Sequence, residues 1–172
     1  LAIAEHFQLQ VIEDAAHAPG ASLDGKALGT LGRIGCFSFF SNKNLSTGEG
    51  GMLVTDSDEI AAKVRLIRSH GMTSLTYHRH LGHAYSYDVV DLGFNFRIDE
   101  LRSSLGLVQL RKLAANNALR KTWTERYRQA FADTGLGLPF MDKDGSPAYH
   151  IFPVLLPPDI NRRAFMETLR SE

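Results

Sequence analysis

Lys43 stands in the stretch best suited to covalent chemistry, Gly35-Cys36-Phe37-Ser38-Phe39-Phe40-Ser41-Asn42-Lys43-Asn44-Leu45-Ser46-Thr47-Gly48-Glu49-Gly50-Gly51. The apolar and aromatic run from Cys36 to Phe40 reads as a buried strand, and it ends in a polar, glycine-rich turn that holds a single lysine. Desolvation at the end of such a strand lowers an amine's pKa and makes it a nucleophile toward carbonyls, which is the chemistry of Schiff bases. The same lysine also suits a solvated loop, because most lysines are exposed. A P-loop does not fit, since the glycines follow the lysine and no Gly-Lys-Ser/Thr occurs.

A carboxylate and an imidazole come next. Leu9-Gln10-Val11-Ile12-Glu13-Asp14 runs from apolar to acidic, as a parallel strand does when it delivers a carboxylate to the carboxyl edge of a sheet, where ligands bind. The small residues Ala15-Ala16, then His17 and Ala18-Pro19-Gly20, let the backbone approach a ligand and turn, so Asp14 and His17 can face one site. Asp14 equally suits a helix N-cap or turn, and His17 a satisfied, partly buried histidine. Between Met72 and Gly93, His78, His80 and His83 lie among Tyr77, Tyr85 and Tyr87. Three histidines can ligate zinc. With no cysteine and few carboxylates nearby, the loop reads instead as a polar, aromatic ligand wall, and no metal site is expected.

These residues require a set of supporting elements. Ser22 to Arg33, with Gly25, Gly29 and Gly32, reads as a loop or hairpin leading to the strand before Lys43. Gly51 to Thr55 reads as a strand pairing antiparallel with it, which places Lys43 between paired strands. Asp56-Ser57-Asp58-Glu59 opens a helix that His70-Gly71 ends. Asp99 is a plausible N-cap for the longest helical pattern, from Leu101 to Phe131, with Asn116-Asn117 marking a break or kink. The Gly-, Pro- and Asp-rich stretch from Ala130 to Pro147 reads as a domain boundary, followed by a strand from Ala148 to Leu156 and a helix from Asn161 to Leu169. The expected units are residues 1–135, with the long connecting helix, and 147–172, the beginning of a smaller α/β domain.

Composition narrows the partners. The 172 residues carry 19 basic and 19 acidic side chains, so no net charge draws the chain to nucleic acid or to an anionic membrane. No apolar run approaches the roughly 18 residues of a membrane span. The single cysteine, Cys36, reads as a small buried hydrophobe and fits a reducing cytoplasm. The chain begins without methionine and stops within a helical pattern, so a piece of a longer protein is expected.

Taken in order, Glu13-Asp14-Ala15-Ala16-His17-Ala18, then Phe37 to Leu45 with Gly48-Glu49-Gly50-Gly51, then Gly93-Phe94-Asn95-Phe96-Arg97 before a helix carrying Val108-Gln109-Leu110, resemble the DegT/DnrJ/EryC1/StrS family. The resemblance runs from about Leu9 to about Leu113, and more loosely through Tyr149 to Leu169. It implies an α/β fold, part of the pyridoxal-phosphate transferase fold type I, with a mixed central sheet flanked by helices. It also implies a nucleotide-sugar aminotransferase that uses pyridoxal 5'-phosphate.

In residue terms, the resemblance implies that Lys43 forms the Schiff base with pyridoxal phosphate and that Asp14 binds the ring nitrogen. His17 would meet the ring's phenolic oxygen, and Ser38 the phosphate. Asn95 would reach the phosphate of a neighbouring subunit, in a homodimer with shared active sites. Arg79 and Arg97 are candidates for the nucleotide-sugar substrate. The implied reaction moves an amino group from glutamate to a nucleotide-linked keto-sugar, with Lys43 as the proton-transferring base. A dehydratase branch of the family carries histidine where Lys43 stands, so the lysine favours amine transfer. Competing readings are a non-catalytic pyridoxal-phosphate sensor, an inactive fragment of the enzyme, and an α/β module that binds an anionic nucleotide without pyridoxal.

Overall fold

The computed structural model describes residues 1–73, 88–139 and 144–171. A short helix α1 (Ala2–His6) precedes strand β1 (Ile12–Asp14), a small hairpin of β2 (Ser22–Leu23) and β3 (Lys26–Ala27), and the strands β4 (Ile34–Ser38) and β5 (Gly51–Val54). Helices α2 (Asp58–Ile67), α3 (Glu100–Phe131) and α4 (Arg162–Ser171) complete the order. The architecture is mixed α/β, as expected from the sequence.

The central sheet runs β1-β4-β5, with β1 parallel to β4 and β4 antiparallel to β5. The register pairs Asp14 with Cys36 and Ser38 with Gly51, so Asp14, Cys36 and Ser38 share one face. Glu13, Gly35, Phe37 and Met52 share the other. An apolar cleft of about 450 Å³ lies between Phe37, Phe39 and Met52 and the α3 side chains Leu107, Leu110 and Leu113. Ile12 is 65 % exposed on the Asp14 face. Cys36 is only half-buried, so the fully buried thiol expected from sequence is not what the fold makes.

Glu13 fastens the loop that leads into β4. Its carboxylate accepts hydrogen bonds from Gly29 N–H (2.7 Å), Leu31 N–H (2.6 Å) and Gly32 N–H (2.6 Å). That loop lies so close to β4 that a Cβ on Gly35 would stand 1.8 Å from the Gly29 carbonyl oxygen, which only glycine permits. Burial alone would raise the Glu13 pKa, but the N–H groups of Gly32, Gly29 and Leu31 outweigh it and hold the carboxyl below its ordinary value. A depressed carboxylate contributes stability above its unfolded pKa, and that contribution is lost as pH falls through the folded pKa. Glu13→Ala is therefore expected to cost about 1–3 kcal/mol near neutral pH by urea unfolding, with the difference from wild type shrinking below about pH 4.

Local chemistry explains the other elements. The hairpin turns on Asp24 and Gly25, both at positive φ (49° and 74°), the conformation of a two-residue turn that matches strand twist. Ser57 caps α2 by accepting from Ile60 N–H, and Asp99 caps α3 by accepting from Arg102 N–H at 2.8 Å. The Asn116-Asn117 pair does not break α3, which is continuous over its 32 residues. Asn117 spends its amide on tertiary hydrogen bonds instead, so the helix has no competing local partner there.

Two strands are shorter than expected. Gln8 at φ 52° and the Leu9 N–H bond to Ala4 carbonyl delay β1 until Ile12. Ala148 to Leu156 forms no named strand, only an isolated bridge of Leu155 with Gly137. Pro153 has no N–H to give a ladder, and Tyr149 sits at φ 52°. Phe152 instead packs with Tyr127 and Phe131 at the end of α3. Asn161 caps α4 through Ala164 N–H.

Candidate active site

Strand β1 ends on Asp14, and its parallel partner β4 ends on Ser38, so both side chains stand at the carboxyl edge of one sheet face. Asp14 Oδ1 accepts from Ala16 N–H at 3.0 Å, which bends the chain into the small residues before His17. The other carboxylate oxygen has no hydrogen-bond partner among the described residues. Among the described residues, Ser38 Oγ accepts only from Phe40 N–H, at 3.3 Å, leaving its own hydrogen to give.

Lys43 lies in the turn that joins β4 to β5. Phe39 N–H donates to the Gly50 carbonyl (2.8 Å) and Thr47 N–H to the Phe39 carbonyl (2.9 Å), closing the turn at its base. Lys43 N–H donates to the Phe40 carbonyl (3.0 Å), while Asn44 and Leu45 beside it are buried. Lys43 itself is half-buried, and its amine makes no hydrogen bond or ion pair among the described residues. Its charge is felt by His150, whose ring stands 4.4 Å from that of His17, centroid to centroid. Asp14 and Ser38 thus share one edge of the sheet, the turn that holds Lys43 continues directly from the strand end at Ser38, and His17 follows Asp14 and packs on His150.

Asn95 and Arg97 are held against the segment after α2. Asn95 pairs by backbone with the fully buried Ser69, and Arg97 Nη1 donates to Ser69 Oγ at 3.2 Å. Arg97 lines a cleft of about 280 Å³ with Arg68 and Arg102, along Glu49 and Gly50 at the far end of the lysine turn. No hydrogen bond or ion pair joins Asn95 or Arg97 to the four residues above, among the described residues. Arg79, His78, His80 and His83 lie outside the described residues. Among those that are described, no three His, Cys, Asp or Glu side chains stand close enough to hold a metal ion, and no helix is long and apolar enough to cross a membrane.

Sequence reasoning passed over a network beneath the lysine turn. Asn44, 7 % exposed, donates through Nδ2 to the Ala148 carbonyl (2.6 Å) and to Asn117 Oδ1 (2.9 Å). Asn117 in turn donates to the Pro19 carbonyl (3.0 Å). One amide pair thereby ties the turn, α3, the loop after His17 and the segment at Ala148. The available signal was the pairing of a lysine with an asparagine, and the lone polar His150 in Tyr149-His150-Ile151-Phe152. Asn117→Leu strands the Pro19 carbonyl and one Asn44 donor, and is expected to lower unfolding free energy by about 1–3 kcal/mol in a denaturant titration.

The candidate set is thus an amine with no hydrogen bond or ion pair among the described residues, a carboxylate with one committed oxygen, a hydroxyl with its hydrogen to give, and an imidazole. The description DegT/DnrJ/EryC1/StrS aminotransferase family matches the chain over residues 1–172. The spore coat polysaccharide biosynthesis protein SpsC of Bacillus subtilis is 38 % identical over 154 residues, 88 % of this chain and 40 % of the relative. GDP-perosamine synthase of Caulobacter vibrioides is 41 % identical over 135 residues, 78 % of this chain and 34 % of the relative. Among solved structures, Helicobacter pylori PseC, an aminotransferase involved in the biosynthesis of pseudoaminic acid, superposes with a TM-score of 0.90 at 27 % identity, over 99 % of this chain and 45 % of that one. The chain spans less than half the length of the relatives it matches.

Proposed function

Because the chain belongs to the DegT/DnrJ/EryC1/StrS aminotransferase family, we propose that it carries the cofactor-binding edge of a pyridoxal 5'-phosphate-dependent enzyme that moves an amino group from glutamate to a nucleotide-linked keto-sugar. The product would serve amino-sugar, polysaccharide or secondary-metabolite biosynthesis in the cytoplasm. The observation that carries this reading is the unpaired amine of Lys43, held in a closed turn beside the strand ends that present Asp14 and Ser38 on one face.

Pyridoxal phosphate, when bound, supplies an electron-withdrawing ring that stabilises a carbanion at the substrate carbon. The chain's own residues do the rest. Asp14 would hold a proton on the ring nitrogen, because a carboxylate beside a nitrogen base favours its charged form. His17 would orient the ring through its phenolic oxygen, and Ser38 would donate to the phosphate. Lys43 would hold the cofactor through its amine, and the same amine would take and return the proton at the donor's α-carbon.

Residues 1–135 belong in this reading to the large cofactor domain and 147–172 to the smaller one. Asn95 serves the phosphate of a second subunit, across a homodimer that shares its sites. The apolar side chains that α3 leaves open, with Leu101 at 85 % exposure, supply surface for such packing. Arg97, in a cleft with Arg68 and Arg102, neutralises an anionic group of the nucleotide sugar, and Arg79 is proposed for the same ligand.

The test is reductive trapping. Pyridoxal phosphate is added to the purified chain, the adduct is fixed with borohydride, and the labelled peptide is mapped by mass spectrometry. Label confined to Lys43 supports the reading; absence of label, or label spread over surface lysines, overturns it.

A further inference from the structure

The network beneath the lysine turn fixes its own hydrogen positions. The carbonyls of Pro19 and Ala148 can only accept, so Nδ2 of Asn117 faces the first and Nδ2 of Asn44 faces the second. Asn44 Oδ1 is then turned to His150, whose Nδ1 lies 3.0 Å away. An oxygen that can only accept requires a donor, so His150 carries its proton on Nδ1 and leaves Nε2 bare.

The same ring lies against His17, at a centroid distance of 4.4 Å and a tilt of 55°. Burial disfavours a charge on His150, and the charges of His17 from the loop after β1, Lys43 from its turn and Arg120 from α3 add to that effect. His150 therefore stays neutral where an ordinary histidine begins to take up a proton.

We propose that His150 is a positioning residue for Lys43: its Nδ1–H locks the buried Asn44 next to the lysine, and its ring backs His17, so the amine and the imidazole keep a fixed relation. The proposal rests on the reading of Lys43 as the cofactor-binding amine. It gives the segment after the boundary stretch a function in the site, since both His150 and the Ala148 carbonyl hold Asn44.

Two readouts test it. In the cofactor-free chain with ¹⁵N-labelled histidine, NMR is expected to show His150 protonated on Nδ1 with Nε2 bare at pH 8, titrating below the ordinary histidine value. The second readout is the rate of pyridoxal phosphate attachment to Lys43, trapped with borohydride and quantified by mass spectrometry. His150→Gln keeps a polar side chain but presents its amide where Nε2 was, and is expected to slow attachment about tenfold, the effect of one lost hydrogen bond. His150→Asn places an amide N–H where Nδ1 was, and should recover to within about threefold of wild type. A proton on Nε2, or equal attachment rates for wild type and His150→Gln, would overturn the proposal. An unlabelled wild-type chain would sink the pyridoxal reading itself, and the ring-nitrogen spectrum alone would then decide whether His150 locks Asn44.

Discussion

Lys43→Ala is expected to abolish glutamate-dependent amino transfer, a loss of more than about 10³-fold, because one residue holds two consecutive roles. In the proposed function it is both the nucleophile that would hold the cofactor and the base that would move the proton at the substrate carbon. The side chain is half-buried in a turn whose closure depends on backbone groups of Phe39, Phe40, Thr47 and Gly50, none of them contributed by the lysine side chain. The substitution should accordingly leave the unfolding free energy within about 0.5 kcal/mol of wild type, as for a surface change. Stopped-flow absorbance with glutamate, beside a denaturant titration of the same sample, separates the two effects. Normal turnover in the variant would remove Lys43 from the mechanism.

Asp14→Ala is expected to slow proton transfer by about 10- to 10³-fold while leaving covalent attachment at Lys43 intact. The magnitude follows from what a carboxylate beside a protonated nitrogen does: it raises that nitrogen's pKa by about 1–3 units. Without Asp14 the ring nitrogen loses its proton at lower pH, so the deficit should be largest on the alkaline side and shrink as pH falls. A pH profile of the glutamate half-reaction reads this directly. A uniform loss across pH would argue for a role in shaping the loop, where Asp14 Oδ1 accepts from Ala16 N–H.

Much of the framework that carries the candidate site was legible because it is built from short-range signals. An apolar run that ends in a carboxylate, and another that ends in a glycine-rich turn with one lysine, state both residue type and position at a strand end. The antiparallel return of β5 followed from the short separation across the turn, and the Asp99 cap from a side chain that can only act locally. Glu13 was less legible. It sits beside Asp14 in sequence but on the opposite face, and its job of holding Gly29, Leu31 and Gly32 depends on a loop that returns from 16 to 19 residues away.

The misread positions share a cause. Asn116-Asn117 looks like a helix break by propensity, yet Asn117 meets Pro19 and Asn44, 98 and 73 residues away, and the helix continues. The strand expected at Ala148 to Leu156 fails because Tyr149 sits at φ 52° and Pro153 has no N–H for a ladder, which leaves the bridge of Leu155 with Gly137. By itself the sequence determined the α/β class, the lysine turn and the strand ends that carry Asp14 and Ser38, since each follows from backbone periodicity and local hydrogen bonding. Only the tertiary structure decided that Asn44, Asn117 and His150 converge beneath Lys43. A buried amide must find partners wherever the folded chain provides them, and no local pattern specifies that choice.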